Sequence, residues 1–166
     1  TYVFNPSKSS EKPVIISDRS YQDRYSDPGR FVTKRNEFGS HVLALEKNNA
    51  FLIGAGFSDK GQFPFVDKLN LQTQKKDRIY QSQFTDKLEN IIDYNLEKNQ
   101  LYVRIEAKSE FPNYYYRNLK NNKLSQITSF ENPFKSIQNV HKEVITYNRE
   151  DGLELSGTLY LPVGYD

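Results

Sequence analysis

The chain has 166 residues and a near-balanced charge, 23 Lys+Arg against 21 Asp+Glu for a formal net charge of +2. That length suits one domain or a piece of one, and with "KRNE" and "QKKDR" broken up by acids and amides no dense basic run supports a nucleic-acid surface. The absence of Cys excludes disulfides, Cys-ligated zinc and thiol catalysis together.

Only 36% of residues are apolar, yet 14% are aromatic, with 12 Tyr and 11 Phe. This balance suits half-buried strands, in which one face packs and the other stays wet, and does not suit disorder. No apolar run approaches about 18 residues, so no transmembrane helix is expected. Composition does not fix the compartment; a Cys-free, Tyr-rich chain leans toward a periplasmic or secreted one.

Thr1-Tyr2-Val3-Phe4 opens directly on a strand pattern, with no Met and no signal peptide, as expected of a segment from a longer chain. "VII" at 14–16 is the next apolar run. Residues 17–40 are polar, hold Asp27-Pro28-Gly29, and read as a long connection. Four strand patterns follow: 41–46, 50–57, 65–73 and 77–82. A second set occupies 90–97, 101–109, 113–120 and 123–130. Residues 144–166 form two alternating strands around Asp151-Gly152 and stop at "LPVGYD", which again reads as a cut from something longer.

The two sets are related. "LEKN" occurs at 45–48 and again at 96–99, a shift of 51. Leu71 maps to Leu119 and Ile79 to Ile127, each a shift of 48, so one internal loop is three residues shorter in the second copy. Four strands repeating every ~40–50 residues is the sequence mark of a β-propeller blade. A plain antiparallel meander, or a β-sandwich with a chance tetrapeptide match, is the alternative.

Candidate chemistry is sparse. His41 and His141 each sit at a strand edge, without metal-ligand spacing. Ser58 in "GFSDKG" lacks the flanks of a nucleophile elbow. "GAGFSDKG" places Asp59 where a dinucleotide fingerprint needs Gly, so Gly54 and Gly56 read as close-approach or bulge positions and Gly61 as a turn. Asp18, Asp23 and Asp27 interleave with Arg19, Arg24 and Arg30, the pattern of a salt-bridged loop; a peptide-binding role for one of these Arg residues is the minority reading. In "PNYYYRN", strand alternation puts Tyr114 and Tyr116 on one face and Tyr115 on the other; a packed blade explains this better than a sugar or peptide platform.

Several stretches together resemble the prolyl-oligopeptidase family of serine peptidases, in its glutamyl-endopeptidase-like branch. They are "DRSYQDRYSDPG" at 18–29, "GQFPFVDKLNLQTQKKDRIYQS" at 61–82, "LSQITSFENPF" at 124–134 and "HKEVITYNREDGLELSGTLYLPVGYD" at 141–166. Thr128, Phe130, Asn132 and Pro133 match the family's exit from its last blade. Tyr147, Arg149, Asp151, Gly152, Leu155, Leu159, Tyr160, Leu161, Pro162, Gly164, Tyr165 and Asp166 match its entry hairpin into the hydrolase domain.

The resemblance implies an all-β chain: about two four-stranded blades of a β-propeller plus part of a preceding one, followed by the entry hairpin of an α/β-hydrolase domain. The implied boundaries are 1–40 for the end of a preceding blade and the polar connection, 41–82 and 83–130 for blades, 131–140 for a linker and 141–166 for a truncated hairpin. It implies a parent that hydrolyses peptides, after acidic residues, with the propeller gating access. The implied partners are a peptide substrate and the missing blades and hydrolase domain of the same chain. The family's nucleophile, acid and His have no counterpart in this sequence, so no catalytic residue, cofactor or metal is expected here and the chain alone is expected to be inactive. Exposed strand edges are expected to self-associate. The alternative is a free-standing β-propeller or β-module acting as a protein- or ligand-binding scaffold.

Overall fold

Side-chain alternation, interrupted every few residues by Asn, Gly and Lys-rich turns, leaves this chain little choice but short antiparallel strands. In the computed structural model, which describes residues 1–137 and 139–165, all regular structure is strand except one 3-10 turn at Lys135–Ile137. The strands fall into two four-stranded and four two-stranded sheets, with no closed barrel among the described residues. Contacts divide the chain into Thr1–Phe130 and Glu131–Asp166.

The first four-stranded sheet is built from Arg30–Phe31, Asn49–Gly54, Phe65–Asn70 and Lys76–Gln81, in that spatial order and all antiparallel. The second is built the same way from Lys87–Asn95, Gln100–Ala107, Asn113–Asn118 and Leu124–Gln126. Membership of the first sheet differs from the sequence reading. Its opening strand comes from the polar connection, and His41–Leu43 pairs instead with Thr33–Arg35. Val32 links the two pairings, donating its N–H to the Phe51 carbonyl at 2.8 Å while its own carbonyl accepts from Ala44 at 3.0 Å. Main-chain bonding and the burial of Val32 and Ala44 in the core hold this segment in place, and few other apolar side chains mark it.

The internal repeat recurs in the strand registers and in several turn bonds. Asn49 faces Asn70 in the first sheet and Gln100 faces Asn118 in the second, at the shifts of 51 and 48 read from the sequence. The Leu71 N–H donates to the Asn48 carbonyl at 2.9 Å, and the Leu119 N–H to the Asn99 carbonyl at 3.0 Å. Asn70 and Asn118 each fold their side-chain oxygen back onto the following turn, accepting from Gln72 and Lys120. Gln74 and Asn122 both adopt positive φ, 59° and 57°. The "LEKN" copies differ in detail: the first spans a two-residue turn with Lys47 at positive φ, the second a four-residue turn with Asn99 at positive φ.

One face of the first sheet, bearing Phe51, Ile53 and Val66, packs on a face of the second that bears Ile91, Tyr94, Leu101, Val103 and Ile105. Phe51 and Tyr94 meet edge to face with ring centroids 5.3 Å apart. Full burial of each such side chain contributes roughly 1.5–3 kcal/mol. The second sheet shows the alternation of a strand with one covered face: Leu101, Val103 and Ile105 are buried, while Tyr102, Arg104 and Glu106 remain half-buried.

The Glu131–Asp166 unit carries a hairpin of His141–Asn148 and Glu154–Leu161. Its connection has one left-handed residue, Gly152 at φ +84°, with the Gly152 N–H donating to the Arg149 carbonyl at 2.8 Å. That is the longer hairpin connection closed by a left-handed glycine, not the two-residue turn with two left-handed positions. Asp151 pairs with Arg149 and accepts from the Leu153 N–H, and the Arg149 bond holds its carboxyl below the usual range. Asp166, the end of the family-like pattern, lies outside the described residues.

Gly56 has φ +66°, and a Cβ there would sit 1.9 Å from the Phe63 carbonyl oxygen; Gly39 has φ +79° and open space around it. Gly39→Ala is expected to cost only the left-handed penalty, about 1–2 kcal/mol. Gly56→Ala adds a main-chain collision and is expected to cost at least about 3 kcal/mol. Urea denaturation of both variants checks the order.

Candidate functional site

The two histidines lie in different surroundings, and among the described residues neither is beside Ser58. His41 Nδ1 is 3.4 Å from Thr33 Oγ1, and His141 Nε2 is 3.2 Å from Glu143. Ser58 donates its hydroxyl to the Gly61 carbonyl at 2.9 Å, closing the small Phe57–Ser58/Gly61–Gln62 hairpin. Gly54 is a close-approach position, since a Cβ there would fall 2.1 Å from the Phe65 ring.

The charged connection is internally paired. Arg19 bridges to Asp27 at 2.9 Å and also donates to the Ser20 and Asp23 carbonyls. Asp23 accepts from the Ser26 hydroxyl at 2.6 Å and from the Tyr25 and Ser26 N–H groups, and the Ser26 bond holds its carboxyl low. Arg24 lies over the Phe57 ring, and Arg30 donates to the Ile92 carbonyl at the bulge of the neighbouring sheet. Asp18 makes no side-chain hydrogen bond or ion pair among the described residues.

What the sequence reading did not single out is a buried polar trio between the two sheets. Arg117 Nε donates to Glu89 Oε1 at 2.8 Å, and both side chains are almost fully buried. The Tyr80 hydroxyl donates to Glu89 Oε2 at 2.5 Å. Arg117 Nη1 donates to Asn122 Oδ1 at 2.7 Å, and the guanidinium lies near the rings of Tyr80 and Phe84. Burial, reinforced by the Glu89 bond and charge, pushes the Tyr80 phenol well above its ordinary value. A half-open cleft of about 470 Å³ borders the trio, lined in part by Tyr80, Gln83, Phe84, Arg117 and Asn122. The repeat held the signal: Arg117 stands, at a shift of 48, where the first sheet has the buried Leu69.

The outer face of the second sheet is aromatic. Tyr102 and Tyr114 stack with centroids 5.5 Å apart, Tyr116 leans on Tyr102 at 5.8 Å, and Phe130 meets Tyr114 edge-on. Tyr115 points the other way, against the core. The trio can fix the two sheets in register and hold a proton on Tyr80, whereas the aromatic face offers ring surface and hydroxyl groups for contact.

No protein-family model matches the chain. The whole chain aligns with the probable chloroplastic glutamyl endopeptidase of Oryza sativa subsp. japonica at 36% identity and with that of Arabidopsis thaliana at 34%. Each alignment spans 100% of this chain and 19% of the relative, so the chain covers about a fifth of the length of the curated relatives it matches. Among solved structures, the AtxE2 isopeptidase with Astexin3-dC4 bound superposes over 80% of this chain and 22% of its own, at a TM-score of 0.39 and 15% identity. The sequence identities establish a peptidase relationship.

Removing one member of the trio strands a buried charge. Arg117→Leu is expected to cost about 3–5 kcal/mol, and Arg117→Leu with Glu89→Leu distinctly less than either single change, because the repeat already accommodates Leu at this position. A double-mutant cycle by chemical denaturation reads this; additive losses would contradict it. For Tyr80 the folded pKa is raised, so the unfolded state loses its proton first, near the ordinary phenol value of 10.0. Stability from the proton on Tyr80 is therefore whole below pH 10 and falls as pH climbs toward the folded value. Tyr80→Phe is expected to lower stability at pH 7, by leaving a Glu89 oxygen unpaired, and to flatten the decline above pH 10.

Proposed function

We propose that the chain is a non-catalytic segment of a serine peptidase of the prolyl-oligopeptidase family. Its two four-stranded sheets are consecutive propeller blades, with the first strand of the earlier one at Arg30–Phe31. Residues 131–140 are the linker, and the hairpin at 141–161 is the entry into an α/β-hydrolase domain. The observation that carries the reading is the whole-chain identity of 34–36% to two proteins named glutamyl endopeptidases, over a fifth of their length. Two features agree with it: equal sheets stacked face to face and repeated at fixed shifts, and a separate hairpin unit after Phe130.

In this reading the parent cleaves peptides at acidic residues, and these blades contribute to a wall that restricts which peptides reach the catalytic domain. Such a wall acts by shape and needs no reactive side chain from this segment. The nucleophile and the imidazole that would remove its proton come from the hydrolase domain.

The test is hydrolysis of fluorogenic peptides containing Glu or Gln at the scissile position. The longer protein encoded by the reading frame that contains this chain is expected to prefer Glu and to be silenced by a serine-directed fluorophosphonate. The 166-residue chain is expected to show no turnover. Fluorophosphonate-sensitive turnover by the chain itself, or an inert longer protein without a labelled serine, would overturn the reading.

A further inference from the structure

The buried trio stands where the repeat has a simpler solution. In the first sheet Leu69 faces Ala50 and is 4% exposed; at the shifts of 48 and 51 the second sheet places Arg117 opposite Leu101. A leucine at this position buries without desolvating a charge. Arg117 and Glu89 instead both give up water, their side chains being 6% and 0% exposed. The chain carries that cost beside the half-open cleft of about 470 Å³. Departures from a local packing rule concentrate at functional sites.

The donors of Arg117 are not all used. Nε is held by Glu89 and Nη1 by Asn122. Nη2 has no hydrogen-bond partner among the described residues, yet no fully buried side-chain nitrogen or oxygen among them goes unpaired. Nη2 is therefore the end of the guanidinium that reaches solvent, in the wall that Arg117 gives to the cleft. Two neutral amides border the same space. Asn122 spends its Oδ1 on Arg117 and keeps its Nδ2, and the exposed Gln83 side chain has no partner among the described residues. Glu89 does not compete for the free donor, because its two oxygens accept from Arg117 and Tyr80. Ile79, Phe84 and Leu119 complete an apolar wall, with the Phe84 ring centroid 5.5 Å from the guanidinium carbon.

We infer that this cleft binds a carboxylate carried on a small apolar body, either a free organic acid or the C-terminus of a peptide. One carboxylate oxygen accepts from Arg117 Nη2 and the other from the amide of Asn122 or Gln83, while the apolar body lies against Phe84, Ile79 and Leu119. The lining holds one cation and no carboxylate, which sets the sign of the ligand. Arginine stays ionised at every working pH, and its bond to a carboxylate is charge-assisted. A guanidinium already fixed by Glu89 and Asn122 loses little side-chain freedom on binding. The site lies within residues 79–122 and does not draw on the peptidase reading.

Proton NMR titration of the 166-residue chain, following the Arg117 Nε–H and the amides of Phe84, Leu119 and Asn122, tests this. The probes are isocaproate, its neutral amide isocaproamide, and N-acetyl-L-leucine. Isocaproate is expected to shift these signals with a Kd of about 1 mM or tighter. Isocaproamide is expected to bind about tenfold more weakly or worse, because it cannot make the charge-assisted bond. N-acetyl-L-leucine binding tighter than isocaproate assigns the site to a peptide C-terminus, and the reverse order to a free acid. Gln83→Glu, which sets a like charge at the rim without touching the trio, is expected to weaken isocaproate by about tenfold. Arg117→Leu with Glu89→Leu, checked for folding by its melting transition, is expected to abolish binding. Equal binding of acid and amide overturns the inference. So do isocaproate that leaves the cleft signals unmoved at about ten times the expected Kd, and binding that survives in the folded double variant.

Discussion

The contact on which residues 1–130 depend is the stacking of one four-stranded sheet on the next, centred where the Phe51 ring meets the edge of Tyr94. A strand such as Asn49–Gly54, with Ala50 to Gly54 buried in succession, has two apolar faces to cover. A single sheet cannot cover both, so it needs a neighbour. The sheets are short and their hydrogen bonds are local, so the side chains between the sheets contribute the stability that their ladders alone lack.

Within that apolar seam the chain places an ion pair and a phenol. Glu89, Arg117 and Tyr80 come from three strands of two sheets, and each satisfies the next. An isolated buried pair is weak evidence for stability. Its value here is alignment, because the Glu89 carboxylate reaches both partners only when the sheets sit at one offset.

Much of this was legible in the sequence. The shifts of 48 and 51, read from Leu71, Ile79 and "LEKN", reappear as matching strand registers and as the paired bonds from Leu71 to Asn48 and from Leu119 to Asn99. Turn chemistry carries that signal, since Asn at 70 and 118 and the left-handed residues at 74 and 122 are local requirements. The strand at Arg30–Phe31 was hidden because it is only two residues long and, with the buried Val32 beside it, stands in an otherwise polar stretch without a run of alternating residues. The trio was hidden because Glu89 and Arg117 look like surface residues until strand alternation turns them inward. Tyr114, Tyr115 and Tyr116 took the expected faces because alternation along a strand admits no other arrangement.

The most direct test of sheet stacking as the governing constraint is native-state hydrogen exchange on the 166-residue chain. Amides of Asn49–Gly54 and Gln100–Ala107 are expected to exchange through one shared opening with the same denaturant dependence, because neither sheet stays covered without the other. First-sheet amides that remain protected while those of Gln100–Ala107 exchange freely would show that the sheets stand independently, and would contradict the account.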